Sequence, residues 1–253
     1  MSGLDTIEAV VFDLDGTLYE QRPLRHRMLR LLALATLRGE ASWRTLRILQ
    51  VFRHCRERLA TAEAEGITRL QYDVVADRLG LPAHLVEATV MTWMHERPLP
   101  YLAAWRAPGA LELLDDLRQR RIATAVLSDF AVGQKLVALG LRADVVVSAE
   151  DPEVDRLKPH PRGLERTAEL LGIEPCKLLV IGDRPERDGA AAARLDATYL
   201  RKVWRRTAGP GDVDDLRRLM HVVGRVESPP QAAVRWAGRA AGTADTGVRP
   251  TTS

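Results

Sequence analysis

Ala9-Val10-Val11-Phe12-Asp13-Leu14-Asp15-Gly16-Thr17-Leu18 is the stretch on which the fold turns. Four apolar residues end abruptly in two carboxylates and a Gly-Thr pair. A run so short and so apolar reads as a strand covered on both faces, the kind found in parallel sheets. Four more runs share the pattern: Ile122 to Leu127, Asp144 to Ser148, Leu178 to Ile181 and Ala197 to Leu200. Between them lie helical patterns. Residues 109–121 place Leu111, Leu114 and Leu117 at helical spacing, 132–139 end at Gly140, 163–171 end at Gly172, and 188–195 are rich in alanine. Strand and helix in alternation predict an α/β fold, a parallel sheet with helices on both faces.

The alternation breaks between Glu20 and Ala107. Residues 24–37, 43–60, 68–79 and 83–94 all carry helical periodicity, punctuated by Gly39, Gly66, Gly80-Leu81-Pro82 and Pro98 to Pro100. The expected organisation is therefore a core of residues 1–19 and 108–225, interrupted by an all-helical insert at 20–107. From Val226 the composition turns to Pro, Ala, Gly and Thr without period, and 226–253 read as a disordered tail.

Polar residues mark the ends of the strands. The first run ends in Asp13 and Asp15, the second in Ser128-Asp129, and the fourth in Gly182-Asp183 with Asp188 five residues on; Lys158-Pro159 follows the third. Ligands bind at the carboxyl ends of strands in open α/β sheets. Carboxylates gathered there repel one another unless a cation lies between them. Hard oxygen ligands suit magnesium, while a lysine and a serine hydroxyl suit the oxygens of a transferring phosphoryl group. A carboxylate can also act as nucleophile and become an aspartyl phosphate.

The motif Asp13-Leu14-Asp15-Gly16-Thr17-Leu18, followed in order by Ser128, Lys158-Pro159 and Gly182-Asp183 with Asp188, resembles the haloacid dehalogenase superfamily over about residues 7–202. The resemblance implies a Rossmann-like core, and the insert is similar to that family's helical C1 cap. It implies that Asp13 is the nucleophile and that Asp15 is general acid and then base, with its backbone carbonyl helping to hold the metal. By the same resemblance Ser128 and Lys158 bind phosphate, Asp183 is a metal ligand and Asp188 supports the metal site. Magnesium is the implied cofactor, held by Asp13, Asp15 and Asp183. Two positions depart from the family's pattern: Asp129 stands where Asn is common, and His160 where Asp is common. Both read as local hydrogen-bonding residues.

Within the family, Asp15 argues against a metal-free dehalogenase, and the absence of lysine from residues 20–107 removes a phosphonatase that needs a cap lysine. A phosphomutase shares every core motif. The expected function is a magnesium-dependent phosphatase acting on a small phosphorylated metabolite, with a phosphomutase as the alternative. From a different class, a non-catalytic binding protein could use the arginines of residues 22–58, ten in number against Glu40 and Glu57. Those arginines are expected to form a solvated face, some of them drawing in an anionic substrate.

The formal net charge of +3 on 253 residues does not call for nucleic acid as a partner. The apolar stretch Leu29 to Leu37 is short and broken by Arg30, so no transmembrane segment is expected. Cys55 and Cys176 lack any ligand cluster and read as buried or half-buried thiols of a reducing compartment, which with the absence of a signal pattern suggests a cytoplasmic protein. Trp43, Trp93 and Trp105 are expected to pack in the core or between the two parts of the chain.

Overall fold

The computed structural model describes residues 7–39, 41–204 and 212–221. The tail expected from Val226 lies outside the described residues. Six strands form one parallel sheet: β1 (Ala9–Phe12), β2 (Ala123–Ser128), β3 (Val145–Ser148), β4 (Leu178–Gly182), β5 (Thr198–Lys202) and β6 (Asp212–Val213), in the order β3-β2-β1-β4-β5-β6. β1 is central, paired with β2 through Phe12 and Val126 and with β4 through Phe12 and Ile181. The Asp13 loop therefore emerges in the middle of the carboxyl edge.

Side chains alternate across the sheet as a period of two requires. Val10 and Phe12 of β1, with Leu179 and Ile181 of β4, face one apolar layer. Ala9, Val11, Leu178 and Val180 face the other. The first layer is closed by Leu113, Leu114 and Leu117, from the helix Ala110–Gln119, and by Leu136 and Leu139, from the helix Gly133–Leu139. The second is closed by Leu164, Ala168 and Leu171 of the helix Arg162–Leu171 and by Ala192. The expectation of strands buried on both faces holds for β1, β2 and β4. It fails for β3, where Val146 is 42% exposed, and for the half-buried β5, because both lie toward the sheet's edges where helices cover less of them. The two-residue β6 was not anticipated; it is too short to carry a pattern.

Between β1 and β2 lie four helices: α1 (Gln21–Leu37), α2 (Trp43–Thr61), α3 (Ile67–Leu79) and α4 (Ala83–Val90). A π-helical stretch, Met91–Glu96, and a 3-10 stretch, Leu99–Trp105, complete the insert. The insert has an apolar core of its own, with Leu32, Ile48, Phe52, Val75, Val86 and Val90 at 5% exposure or less. Each large side chain so buried contributes about 1.5–3 kcal/mol. The two connections run side by side. Glu20 N–H donates to Trp105 O and Ala107 N–H to Leu18 O, each at 2.8 Å, and Tyr19 bridges Arg106 in antiparallel fashion. Gly109, at φ +80°, starts the helix after the insert, which we label α5 (Ala110–Gln119); a Cβ there would lie 2.5 Å from the Arg217 backbone nitrogen.

Three expectations, two of them about single residues, need correction. Trp43 opens α2 at 78% exposure rather than packing, since the first turn of that helix points its indole away from the insert's core. Cys176 is exposed, because it sits in a 3-10 turn (Pro175–Lys177) ahead of β4 and not on a packed helix face; Cys55 is buried. The helix expected over 188–195 is divided into a π-helical turn, Pro185–Gly189, and a short α-helix, Ala190–Ala193. Trp93 is buried and Trp105 half-buried against apolar clusters.

Candidate active site

Asp13, Ser128 and Asp183 sit at or one residue past the ends of β1, β2 and β4, so the sheet alone brings them to one edge. Lys158 reaches the same place from the loop between β3 and the helix Arg162–Leu171, and Asp188 from the π-helical turn Pro185–Gly189 after β4. Lys158 Nζ is 2.6 Å from Asp13 Oδ1 and 2.5 Å from Asp188 Oδ1, and all three side chains are at least nine-tenths buried. Thr17 Oγ1 donates to Asp13 Oδ2 at 3.0 Å, and the Arg184 backbone N–H donates to Asp188 Oδ2 at 3.1 Å.

Two glycines make this crowding possible. Gly16 has φ +109°, and a Cβ there would lie 2.2 Å from Asp183 Oδ2. A Cβ on Gly182 would lie 2.4 Å from the Asp188 carboxyl carbon. Asp13, Asp183 and Asp188 each present an oxygen within 4.8 Å of the others. One lysine against three carboxylates leaves a deficit of two positive charges, that of a divalent ion. The buried Asp183 Oδ1 also has no hydrogen-bond partner among the described residues, the condition expected of an oxygen that serves a cation. The three aspartates therefore fit a divalent metal.

The charges of the cluster are visible in its acidities. Burial, then the neighbouring Asp188 and Asp183, push the Asp13 carboxyl well above its usual range, with Lys158 opposing them. Burial and Asp188 push Asp183 up to about 6. Burial works to lower the Lys158 ammonium, but Asp13, Asp188 and Asp129 outweigh it and raise it well above normal.

Asp15 faces a different set of partners. Lys135 Nζ lies 2.6 Å from its Oδ1, Ser128 Oγ donates to its Oδ2 at 3.1 Å, and the Tyr19 hydroxyl donates to its Oδ1. Burial alone would raise this carboxyl; the charge and hydrogen bond of Lys135, with Tyr19 and Ser128, override it and hold Asp15 below the usual range. Its carboxylate is outside the metal-competent trio. Lys135 was not singled out from the sequence. It sits on the short helix after β2, carries no motif, and was visible only as one of four lysines in the chain.

Asp129 is a hydrogen-bonding residue, but not a local one. It accepts from the Lys158 backbone N–H at 3.0 Å and from Arg187 at 2.9 Å, and its carbonyl accepts from the Arg56 guanidinium. Arg56 is the one buried arginine of the insert. It lies 4.0 Å above the Phe130 ring and also donates to Gln71. Arg184 and Arg187 both donate to Glu57 of α2, Arg187 at 2.5 Å. His160 behaves as expected, its Nδ1 accepting from the Arg162 backbone N–H at 3.1 Å.

The site opens into a cavity of about 950 Å³. Its floor is the strand-end loops; its walls include Leu24, Arg25, Met28, Arg53, Trp93 and Met94 of the insert. Trp204, missed in the sequence, closes one side and donates its indole N–H to Gly16 O.

Residues 7–196 match the family model of haloacid dehalogenase-like hydrolases. The chain belongs to that family. Haloacid dehalogenase-like relatives include the glyceraldehyde 3-phosphate phosphatase of Methanopyrus kandleri, 29% identical over 224 residues and covering 83% of this chain and 91% of the relative. A haloacid dehalogenase phosphatase from Thermococcus onnurineus superposes with a TM-score of 0.60 at 22% identity, over 87% of this chain and all of that one. Bacillus subtilis YfnB, in a magnesium-bound form, superposes with a TM-score of 0.62 at 15% identity, over 86% of this chain and 98% of that one. The match makes the chain a haloacid dehalogenase-like hydrolase, and its helical insert lies between β1 and β2. Among the described residues no helix is long and apolar enough to cross a membrane.

Proposed function

We propose that this chain is a magnesium-dependent phosphatase of small phosphorylated metabolites, working through an aspartyl phosphate on Asp13. The observation that carries the reading is the buried cluster of Asp13, Asp183, Asp188 and Lys158 on the floor of a cavity walled by the cap. On this reading residues 20–107 are the cap, and 1–19 with 108–225 are the core. Magnesium would be held by the carboxylates of Asp13 and Asp183 and the backbone carbonyl of Asp15, with Asp188 in support; when bound it supplies positive charge to the phosphoryl oxygens.

The chain's own residues do the rest. Lys158 opposes the burial that raises the Asp13 carboxyl and so favours the ionised form that a nucleophile requires. An Asp13 oxygen bonds to phosphorus while the ester bond breaks, and the leaving oxygen takes a proton from Asp15. Water then attacks phosphorus, the Asp13–phosphorus bond breaks, and Asp15 takes the water's proton. Ser128 and Lys158 hold phosphoryl oxygens. Lys135, 2.6 Å from Asp15, favours its base form, and the acid form requires that contact to loosen. The cap walls keep bulk water from the phosphoryl group and limit the substrate to a small ester. The relative's named activity makes three-carbon phosphate esters the first compounds to assay.

The test is phosphate release from a panel of small phosphate esters with magnesium, beside p-nitrophenyl phosphate. Release that depends on magnesium and is abolished in Asp13→Asn is expected. An isomerised sugar phosphate in place of free phosphate would make the protein a mutase, and turnover surviving in Asp13→Asn would end the nucleophile assignment.

A further inference from the structure

The floor of the cavity accounts for its charged groups, but the wall does not. Arg25 of α1 and Arg53 of α2 both line the cavity. Among the described residues neither has a carboxylate within ion-pairing distance; Arg25 donates only to Gln21 one turn earlier, and Arg53 donates to nothing. Of the other cationic residues of the cavity, Arg22 is likewise without an ion pair among the described residues, whereas Arg184 and Arg187 pair with Glu57, Lys135 with Asp15, and Lys158 with Asp13. Glu20, the cavity carboxylate nearest α1 in sequence, forms no ion pair with either arginine.

The placement is unfavourable for the free protein. α1 begins with no acidic residue in its first turn and sets Arg25 near the end where the helix dipole disfavours cations. Both arginines are exposed to the solvent that fills the mouth of the cavity, and the Arg53 guanidinium is lowered from its ordinary value by partial desolvation and then by the charge of Arg25. Two guanidinium groups that line one cavity and repel each other, with no acid paired to either, suit a carboxylate or phosphate. The same cavity is also lined by the apolar Leu24, Met28, Trp93 and Met94, side chains suited to a short carbon skeleton.

We propose that Arg25 and Arg53 form a second anion subsite on the cap, and that the substrate is a small phosphate ester bearing a second anionic group, a carboxylate or another phosphate. This rests on the phosphatase reading above for the placement of the scissile phosphate. It also separates this chain from its relative, whose named substrate carries an aldehyde at that end.

Binding tests the subsite without requiring turnover. Calorimetric titration of the Asp13→Asn protein with magnesium compares glycerol 3-phosphate, 3-phosphoglycerate and glycerol bisphosphate, which share a skeleton and differ in the distal group. The expected result is about tenfold tighter binding of at least one doubly anionic ester than of glycerol 3-phosphate, and whichever gains more identifies the distal group. Arg25→Gln/Arg53→Gln is expected to weaken that ester about tenfold and bring it level with glycerol 3-phosphate. Equal affinities in the Asp13→Asn protein, no binding of any of the three, or a gap that survives the double substitution would each overturn the proposal. Hydrolysis of p-nitrophenyl phosphate by the unsubstituted enzyme is measured in parallel. Its loss would count against the phosphatase reading, whereas hydrolysis without a preference for doubly anionic esters would count against the subsite alone.

Discussion

Asp13 and Asp15 are two residues apart on one loop, Asp13 buried and Asp15 half-buried, and each touches a lysine at 2.6 Å. Their acidities nevertheless move in opposite directions. Asp13 shares Lys158 with Asp188 and lies beside Asp183, so one positive charge is divided among several negatives. Asp15 has Lys135, a tyrosine hydroxyl and a serine hydroxyl directed at it and no carboxylate at the same range. The lesson is that a lysine neighbour does not fix a carboxylate's acidity; the ratio of charges around it does. A site built this way has one half short of positive charge, where a cation and a phosphoryl group can be received, and one half already balanced, where a proton can be handled.

The most drastic way to break the comparison is Asp13→Asn. Turnover should fall by at least about a thousandfold, while thermal unfolding stays cooperative. A variant that keeps a tenth of its activity would show that the two halves had been assigned the wrong way round. Chelation should act on the same half, lowering phosphate release by about a hundredfold or more and recovering on addition of magnesium, because the charge deficit at Asp13, Asp183 and Asp188 returns. Activity unchanged in excess chelator would leave that deficit without a function.

Lys135→Met attacks the balanced half. With Lys135 gone, burial is left to act on Asp15 with only two hydroxyls against it, so its pKa should rise. The limb of the pH profile of kcat/KM that belongs to Asp15 should move to higher pH by about one unit, with kcat for alkyl esters down about tenfold. A limb that stays in place would show that Tyr19 and Ser128 are sufficient.

The smallest expected effect is on stability. Burial, then the charge of Lys135, holds His95 down to about 4, and its Nε2 has no hydrogen-bond partner among the described residues. Between pH 4 and the ordinary 6.5 the unfolded chain binds a proton that the folded chain does not, so this group makes stability rise with pH and costs stability as pH falls. At pH 5 the cost relative to pH 7 is about 2 kcal/mol. Urea unfolding of His95→Gln at the two pH values should show a shallower dependence than the unsubstituted protein; parallel lines would mean that His95 charges freely in the fold.

How much of this could be read beforehand depends on distance along the chain. The strands were legible because each is a short apolar run ending in a polar residue, and Asp13, Ser128, Lys158 and Asp183 were legible because they stand at those ends. Lys135, Arg187 and Trp204 were not, since each reaches its partner only after the sheet has placed distant segments together: Lys135 meets Asp15, Arg187 meets Glu57, and Trp204 meets Gly16. Asp129 shows the boundary within one residue. Its polarity was plain, but its partners Arg56, Lys158 and Arg187 come from three separate segments. The arginines of the insert were likewise conspicuous as a group, while the burial of Arg56 as a bridge to the core and the placement of the exposed Arg25 and Arg53 along the cavity required the folded insert.

The paired connections at Tyr19 and Arg106 bear on how such a protein can be re-engineered. The insert leaves the core and returns to it at hydrogen-bonded neighbours, so the sheet registers its whole length as no more than a tight turn. Exchange of one helical lid for another from a related chain would not oblige β1 or β2 to shift. The graft points cannot be set at the connections themselves, however, because Leu24 of α1 and Leu102 of the 3-10 stretch are embedded in the same apolar layer as Phe12 and Leu114. A chimaera should retain those two leucines as the socket and replace only what lies beyond them, where the Phe52 and Val75 cluster holds itself together.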